Sequence, residues 1–140
     1  ALVEALRAVE GGRITFEPQD EAKASYAPKL EREMGRIDWT QSACSIHNQV
    51  RGLFPWPGAF TGFKGKRLKI LETAVFDETA VNALPGQVVH STGDGIIVAC
   101  GHGQILLKRL QLESAKPMDA RSFIVGHQVK EGDLFSSPVI

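Results

Sequence analysis

Apolar residues first recur at helical spacing. Ala1, Leu2, Ala5, Leu6 and Val9 share one face over residues 1–10, and Gly11-Gly12 ends the run. The spacing predicts an amphipathic helix that is too short to hold itself together in water without a packing partner. Residues 13–38 keep no period. They are polar, carry Pro18 and Pro28, and read as an extended linker with one helical turn over 21–26. A second helical stripe follows over 41–53, with Ala43, Ile46, Val50 and Leu53 at three- and four-residue steps and Asp38 or Thr40 as the cap. Cys44 lies beside the stripe and is expected in the core, whereas His47, Asn48 and Arg51 fall toward the other side. Gly52 and the prolines at 55 and 57 end this helix.

Beyond it the pattern shortens to β-like runs between turn residues. Strands are predicted at 59–63, 67–76, 87–90, 96–100 and 104–111, with a loop over 81–85. Lys64-Gly65, Gly93-Asp94-Gly95 and Gly101-His102-Gly103 are the turn signals. Residues 119–126 read as a short helix with Phe123 and Ile124 inward. The tail over 132–140 holds Leu134, Phe135 and Val139, suited to covering a barrel edge. Many short strands with few helices point to a mainly β chain. The expected fold is a small barrel of the oligonucleotide-binding (OB-like) type, preceded by an extended linker.

Composition changes this picture little. Hydrophobic residues at 43% and charged residues at 23% are those of a globular chain, not a disordered one. No apolar run approaches the roughly 20 residues of a membrane span, and the acidic, amphipathic start is unlike a signal peptide. Cys44 and Cys100 have no C-x-x-C spacing, so zinc-ribbon and redox motifs are not expected; two free, buried thiols suit a cytoplasmic protein.

Charge changes it more. The net charge is zero, yet residues 39–76 hold five Lys/Arg against one acid. Such a block attracts phosphate, and it also suits an ordinary solvated sheet face.

A catalytic centre is not visible. His102 between two glycines fits a hairpin better than an acid–base role, and His47 has no nearby carboxylate or nucleophile to complete a site. His90 and His127 stand apart, no ligand spacing supports a metal, and Gly93-x-Gly95 lacks the rest of a dinucleotide fingerprint. No P-loop occurs. What remains is a surface. Lys64, Lys66, Arg67 and Lys69 cluster on a hairpin and its outgoing strand, with Lys66 and Arg67 on opposite faces if the strand is regular. Arg51, Lys108, Arg109 and Lys116 can line the same side of a barrel. Trp39, Phe54, Trp56, Phe60 and Phe63 lie close by, and each is expected in the core more often than on the surface.

Several segments, in order, resemble methionyl-tRNA formyltransferases. They are Arg36-Ile37-Asp38-Trp39, Ile46-His47-Asn48-Gln49-Val50-Arg51-Gly52 and the turn Phe54-Pro55-Trp56-Pro57-Gly58-Ala59. Upstream, Pro18-Gln19-Asp20 and Ala24-Ser25-Tyr26-Ala27-Pro28-Lys29-Leu30 are similar to the family's interdomain segment. Downstream, Leu84-Pro85-Gly86, Val98-Ala99-Cys100-Gly101 and Leu110-Gln111 keep the family order. The resemblance implies that residues 1–12 are the last helix of an N-terminal Rossmann-like catalytic domain outside this chain. Residues 13–36 would be the interdomain linker and 37–140 a C-terminal OB-like barrel. It further implies an enzyme that moves a formyl group from 10-formyltetrahydrofolate to methionyl-initiator-tRNA in translation initiation. Its catalytic Asn, His and Asp belong to the other domain and match nothing here, so this chain alone is expected to be inactive, without cofactor or metal. Arg51, Lys64, Lys66, Arg67, Lys69, Lys108, Arg109 and Lys116 are the candidate tRNA-binding residues.

The chain departs from the family in two places. Leu112-Glu113-Ser114-Ala115-Lys116 replaces the Gly-Lys pair common after the Leu-Gln strand, and Glu17 and Glu21 make the linker less basic. Two other readings stay open. One is a structural barrel in a related formyltetrahydrofolate-using formyltransferase or hydrolase; the other is a stand-alone interaction barrel.

Overall fold

A computed structural model of the chain describes residues 2–79 and 82–136. Ala1, Val81 and Val139, assigned above to the first helix, a loop and the tail, lie outside the described residues.

The first helix forms as α1 (Leu2–Glu10) and buries none of its residues. Leu2, Val3, Leu6 and Val9 are all exposed. Residues 11–34 are exposed throughout, broken by a 3-10 turn at Glu21–Lys23 that Asp20 caps by accepting the Ala22 N–H at 3.0 Å. A second 3-10 turn, Arg32–Gly35, docks the end of the linker on the body of the domain. There Gly35 has no room for a side chain: a Cβ would meet the Gly58 carbonyl oxygen at 2.1 Å. The Gln49 side-chain amide reaches over from the next helix and donates to the Met34 and Arg36 carbonyls at 2.8 and 3.0 Å.

That helix, α2 (Ala43–Gly52), starts two residues later than the stripe predicts, and its cap is Ser42, not Asp38 or Thr40. The Ser42 hydroxyl accepts the Ser45 N–H at 3.1 Å. Asp38 instead closes a local turn, accepting from the Thr40 N–H, the Thr40 hydroxyl and the Gln41 amide. Ala43, Ile46 and Val50 face the core, Leu53 is half-buried at the C-cap, and Cys44 is exposed, against the expectation of a core thiol. A 100° step per residue carries position 44 off the stripe that 43, 46 and 50 define.

Among the described residues, six strands form one antiparallel sheet: β1 (Ala59–Phe63), β2 (Lys66–Asp77), β3 (Val88–Thr92), β4 (Gly95–Ala99), β5 (Gln104–Leu112) and β6 (Met118–Asp119). The order is β1-β2-β5-β4-β3, with β6 on β5. All five predicted strands are present within two residues at each end; β6 and the Arg32–Gly35 turn have no counterpart in the sequence pattern. The β1–β2 hairpin turns on Lys64 (φ 47°) and Gly65 (φ 78°), the paired positive φ values of a tight twisted hairpin. The last helix, α3 (Ala120–His127), is capped by Asp119 and buries Ala120 and Phe123.

The sheet is curled and barrel-like but does not close by strand pairing. Its two edges are spanned by the tail. Gly62 of β1 bridges to Ser136, and Gln87, just before β3, bridges to Leu134. Between them Phe135 is 1% exposed and packs on Trp39 and Phe63, with ring centroids at 5.8 and 5.2 Å. The Trp39 indole N–H donates to the Thr61 hydroxyl at 3.0 Å, which in turn donates to the Ser136 carbonyl at 2.9 Å. Leu68, Ile70, Ile96, Val98, Ile105, Leu107, Leu110 and Phe123 complete one core. Each such side chain contributes about 1.5–3 kcal/mol by leaving water, so the stability of the chain resides after residue 34.

Candidate nucleic-acid interface

The core takes Leu68 and Ile70 from β2 and Leu110 and Leu112 from β5. Alternation then turns Arg67 and Lys69, and Arg109 and Gln111, to the outer face. Lys69 pairs with Gln111 across the ladder, and Phe60 of β1 pairs with Lys69 from the other side. Phe60 is buried on that outer face beneath the Arg67 guanidinium, whose carbon lies 4.0 Å from the ring centroid. Beside it, Arg32, Trp56, Pro57, Phe60, Arg67 and Lys69 line a cleft of about 200 Å³. A second hollow of about 330 Å³ continues the face, lined by Phe54, Leu71, Glu72, Arg109 and Pro117.

Of the five aromatics near this region, Trp39, Phe60 and Phe63 are buried as expected, while Phe54 (61%) and Trp56 (56%) are exposed. The loop that carries them follows α2. Both its X–Pro bonds are cis, and it is closed by the Gly58 N–H donating to the Leu53 carbonyl at 2.9 Å.

The other predicted cations are distributed differently. Lys108 follows Leu107 and precedes Arg109, and both cations are exposed because the β2–β5 ladder shifts register there. Partial burial lowers the pKa of His47, and Arg51 and then Lys108 lie close enough to lower it further. His47 itself is half-buried, its Nδ1 2.8 Å from the Thr73 hydroxyl. Lys64 is turned the other way. Its ammonium donates to the His127 and Gln128 carbonyls at the end of α3, 3.0 and 3.2 Å away, and pairs with Asp133 at 3.5 Å. Lys66 and Lys116 are exposed, in the first hairpin and in the loop after β5. Thus Arg67, Lys69 and Arg109 share one face, Arg51 and Lys108 form a second group, and Lys64 is engaged elsewhere. Arg32 joins the first group unannounced by any pattern in the sequence, because only the docking of Gly35 brings it there.

The remaining histidines build no site. His102 lies in the β4–β5 turn, and its carbonyl accepts the Ala43 N–H at 2.8 Å. The His90 ring pairs with the Glu131 carboxylate, and His127 packs on Phe123. Among the described residues, no cluster of His, Cys, Asp and Glu suited to a metal is present, and no helix is long and apolar enough to cross a membrane. Cys100 is buried, its thiol pushed up to about 12 by desolvation, and both cysteines are free.

Fold and face together define a small antiparallel, barrel-like domain that presents cations and exposed aromatics on the outside of its sheet. Residues 29–128 match the family of the formyl transferase C-terminal domain, and the chain belongs to that family. It is 41% identical over 133 residues to the methionyl-tRNA formyltransferase of Acetivibrio thermocellus, covering 95% of this chain and 43% of that protein. It is 44% identical over 133 residues to the methionyl-tRNA formyltransferase of Pelobacter propionicus, covering 95% of this chain and 41% of that one. The chain therefore spans less than half the length of these relatives. Among solved structures, HypX from Aquifex aeolicus has the same fold, with a TM-score of 0.61 at 21% identity over 99% of this chain and 24% of that one. The HypX complex with tetrahydrofolic acid matches with a TM-score of 0.60 at 19% identity over 96% of this chain and 26% of that one.

Proposed function

We propose that this chain is the tRNA-positioning, C-terminal part of a methionyl-tRNA formyltransferase. The whole enzyme would transfer the formyl group of 10-formyltetrahydrofolate to the amino group of methionyl-initiator-tRNA, in the cytoplasm. The observation that carries the reading is the outer sheet face holding Arg67, Lys69 and Arg109 beside exposed aromatics, with the barrel serving as an oligonucleotide-binding-type platform. Acyl transfer to an amine needs the two reactants held in near-attack geometry. A remote phosphate anchor supplies binding energy for that orientation, and Lys and Arg supply it without reading sequence. Arg51 with Lys108, and Lys66 and Lys116, extend the cationic surface. Lys64 has a smaller share because its ammonium already has partners.

In this reading α1 and residues 13–36 connect the domain to a Rossmann-like catalytic domain that performs the chemistry. The exposed Leu2, Leu6 and Val9 pack on that domain, and this chain alone turns nothing over. The test is binding of initiator tRNA across a salt series. Replacing Arg67, Lys69 and Arg109 by Ala is expected to weaken affinity and flatten the log–log salt slope by about 0.7–0.9 for each phosphate no longer neutralised. An unchanged slope sinks the assignment. The other reading, a structural barrel in a related formyltetrahydrofolate-using formyltransferase or hydrolase, predicts no tRNA affinity at all.

A further inference from the structure

We infer that the cleft beside Trp56 is a stacking subsite for one unpaired nucleotide of the bound RNA, its base on the Trp56 ring and its phosphate between Arg67 and Lys69. The inference rests on the tRNA-positioning reading and adds a ligand class to one part of that face. Scattered exposed apolar residues are ordinary on a protein surface, but this cleft differs in three respects. Its cations are Arg32, Arg67 and Lys69, and no carboxylate lines it; Glu113 lines a separate hollow with Arg67 and Lys69. Two aromatic rings belong to it, and they are used differently: Phe60 is 4% exposed and already covered by Arg67, while Trp56 is 56% exposed. The Trp56 face is thus open beside a guanidinium and an ammonium.

The support beneath Trp56 is also held in advance of any ligand. The loop is closed by the Gly58 N–H bond to Leu53, backed by Gly35 at a distance that excludes a methyl group, and pinned through Gln49 to the linker end. A platform ordered beforehand loses little conformational entropy on binding. A ligand that offers a flat apolar face and a negative charge a few ångströms away is a nucleotide. Its base must be out of a duplex, because paired bases hide both faces in the stack. Base–aromatic stacking of this kind tolerates any sequence.

Tryptophan emission reads the contact directly, since the other indole, Trp39, is 5% exposed and stays out of reach. The 140-residue chain would be titrated with a single-stranded oligoadenylate of about a dozen nucleotides and with a blunt RNA duplex carrying as many phosphates. The single strand is expected to quench the emission and the duplex to leave it nearly unchanged. Trp56→Ala is expected to remove the quenching and weaken the labelled single strand about five- to a hundredfold by anisotropy. Trp56→Phe, which keeps a ring to support the fold, should retain most of the affinity while losing the signal. Equal quenching by the duplex, or Trp56→Ala binding the single strand as the parent chain does, overturns the subsite. So does quenching that vanishes when the catalytic domain is present, which would make this face a domain contact. If tRNA binds with its steep salt slope while Trp56 stays silent, only this inference fails. If no RNA binds, the tRNA reading fails with it.

Discussion

Lys108 and Arg109 are neighbours in β5, and both are exposed. A regular strand would send them to opposite faces. The ladder pairs Ile70 with Leu110 and Glu72 with Arg109, then Thr73 with Leu107, so each strand carries one extra residue at the shift. The inward set changes from Ile105 and Leu107 to Leu110 and Leu112, and the two cations between them both reach solvent. His47 feels the result. Its pKa is lowered first by partial burial and then by Arg51 and Lys108. A lowered histidine pKa means that the unfolded chain takes up its proton at higher pH than the folded one. The stability His47 contributes is therefore complete above its ordinary value of about 6.5 and is lost as pH falls through the lower folded value. Urea midpoints between pH 7.5 and 5.5, on the order of that value, are expected to fall more for the parent chain than for His47→Gln. The ring's own titration by NMR should have its midpoint below the ordinary value. Equal acid sensitivity in the two chains counts against this account.

At the scale of elements, α2 and the loop after it position most of the interface. Ala43, Ile46 and Val50 fasten the helix to the core, Gln49 ties it to the linker end, and Leu53 receives the bond that closes the Trp56 loop. Its first turn depends on Ser42, since a helix begins with N–H groups that lack internal partners. Ser42→Ala is expected to lower stability by about 0.5–2 kcal/mol, read as a shift in the urea midpoint with an unchanged slope. A variant at Thr40, which caps nothing in this helix, is expected to cost less. The stripe pointed to Asp38 or Thr40, and no local rule separates these from the Ser42 that caps the helix. The parallel bridge between Ser42 and His102 does so, by holding residue 42 against the β4–β5 turn.

On the scale of the whole molecule, the chain divides by burial rather than by length. Residues 2–34 contain no buried side chain, while the curled sheet, α2, α3 and the tail enclose one core. Removing residues 2–30 is therefore expected to leave the thermal midpoint unchanged within error, because no side chain of the core is lost; a fall of several degrees would reveal a contribution from α1 or the linker. The tail does the opposite of what its position suggests. Residues 134–136 join the two open edges of the sheet through Gln87 and Gly62, and Phe135 fills the space between them. An unpaired edge is a site of unwanted pairing, and covering it is one of the ways a small sheet stays monomeric.

Much of this organisation was determined by the sequence alone. Period and turn chemistry are local, so three helices, five strands and the Lys64-Gly65 hairpin were readable from neighbouring residues. The order of short motifs along nearly the whole chain was enough to indicate the family, since motif order does not depend on knowing the fold. Only the tertiary structure decided which cations share a face. Arg67 and Lys69 stay together because their strand is regular there, Lys108 parts from the alternation at a register shift, and Lys64 is drawn to the end of α3. Tertiary contact alone also decided that Trp56 and Phe54 face solvent while Trp39, Phe60 and Phe63 do not. Aromatic residues of equal hydrophobicity differ in fate only through what packs against them, and that is settled by residues distant in the chain: Gly35, Thr61 and Phe135.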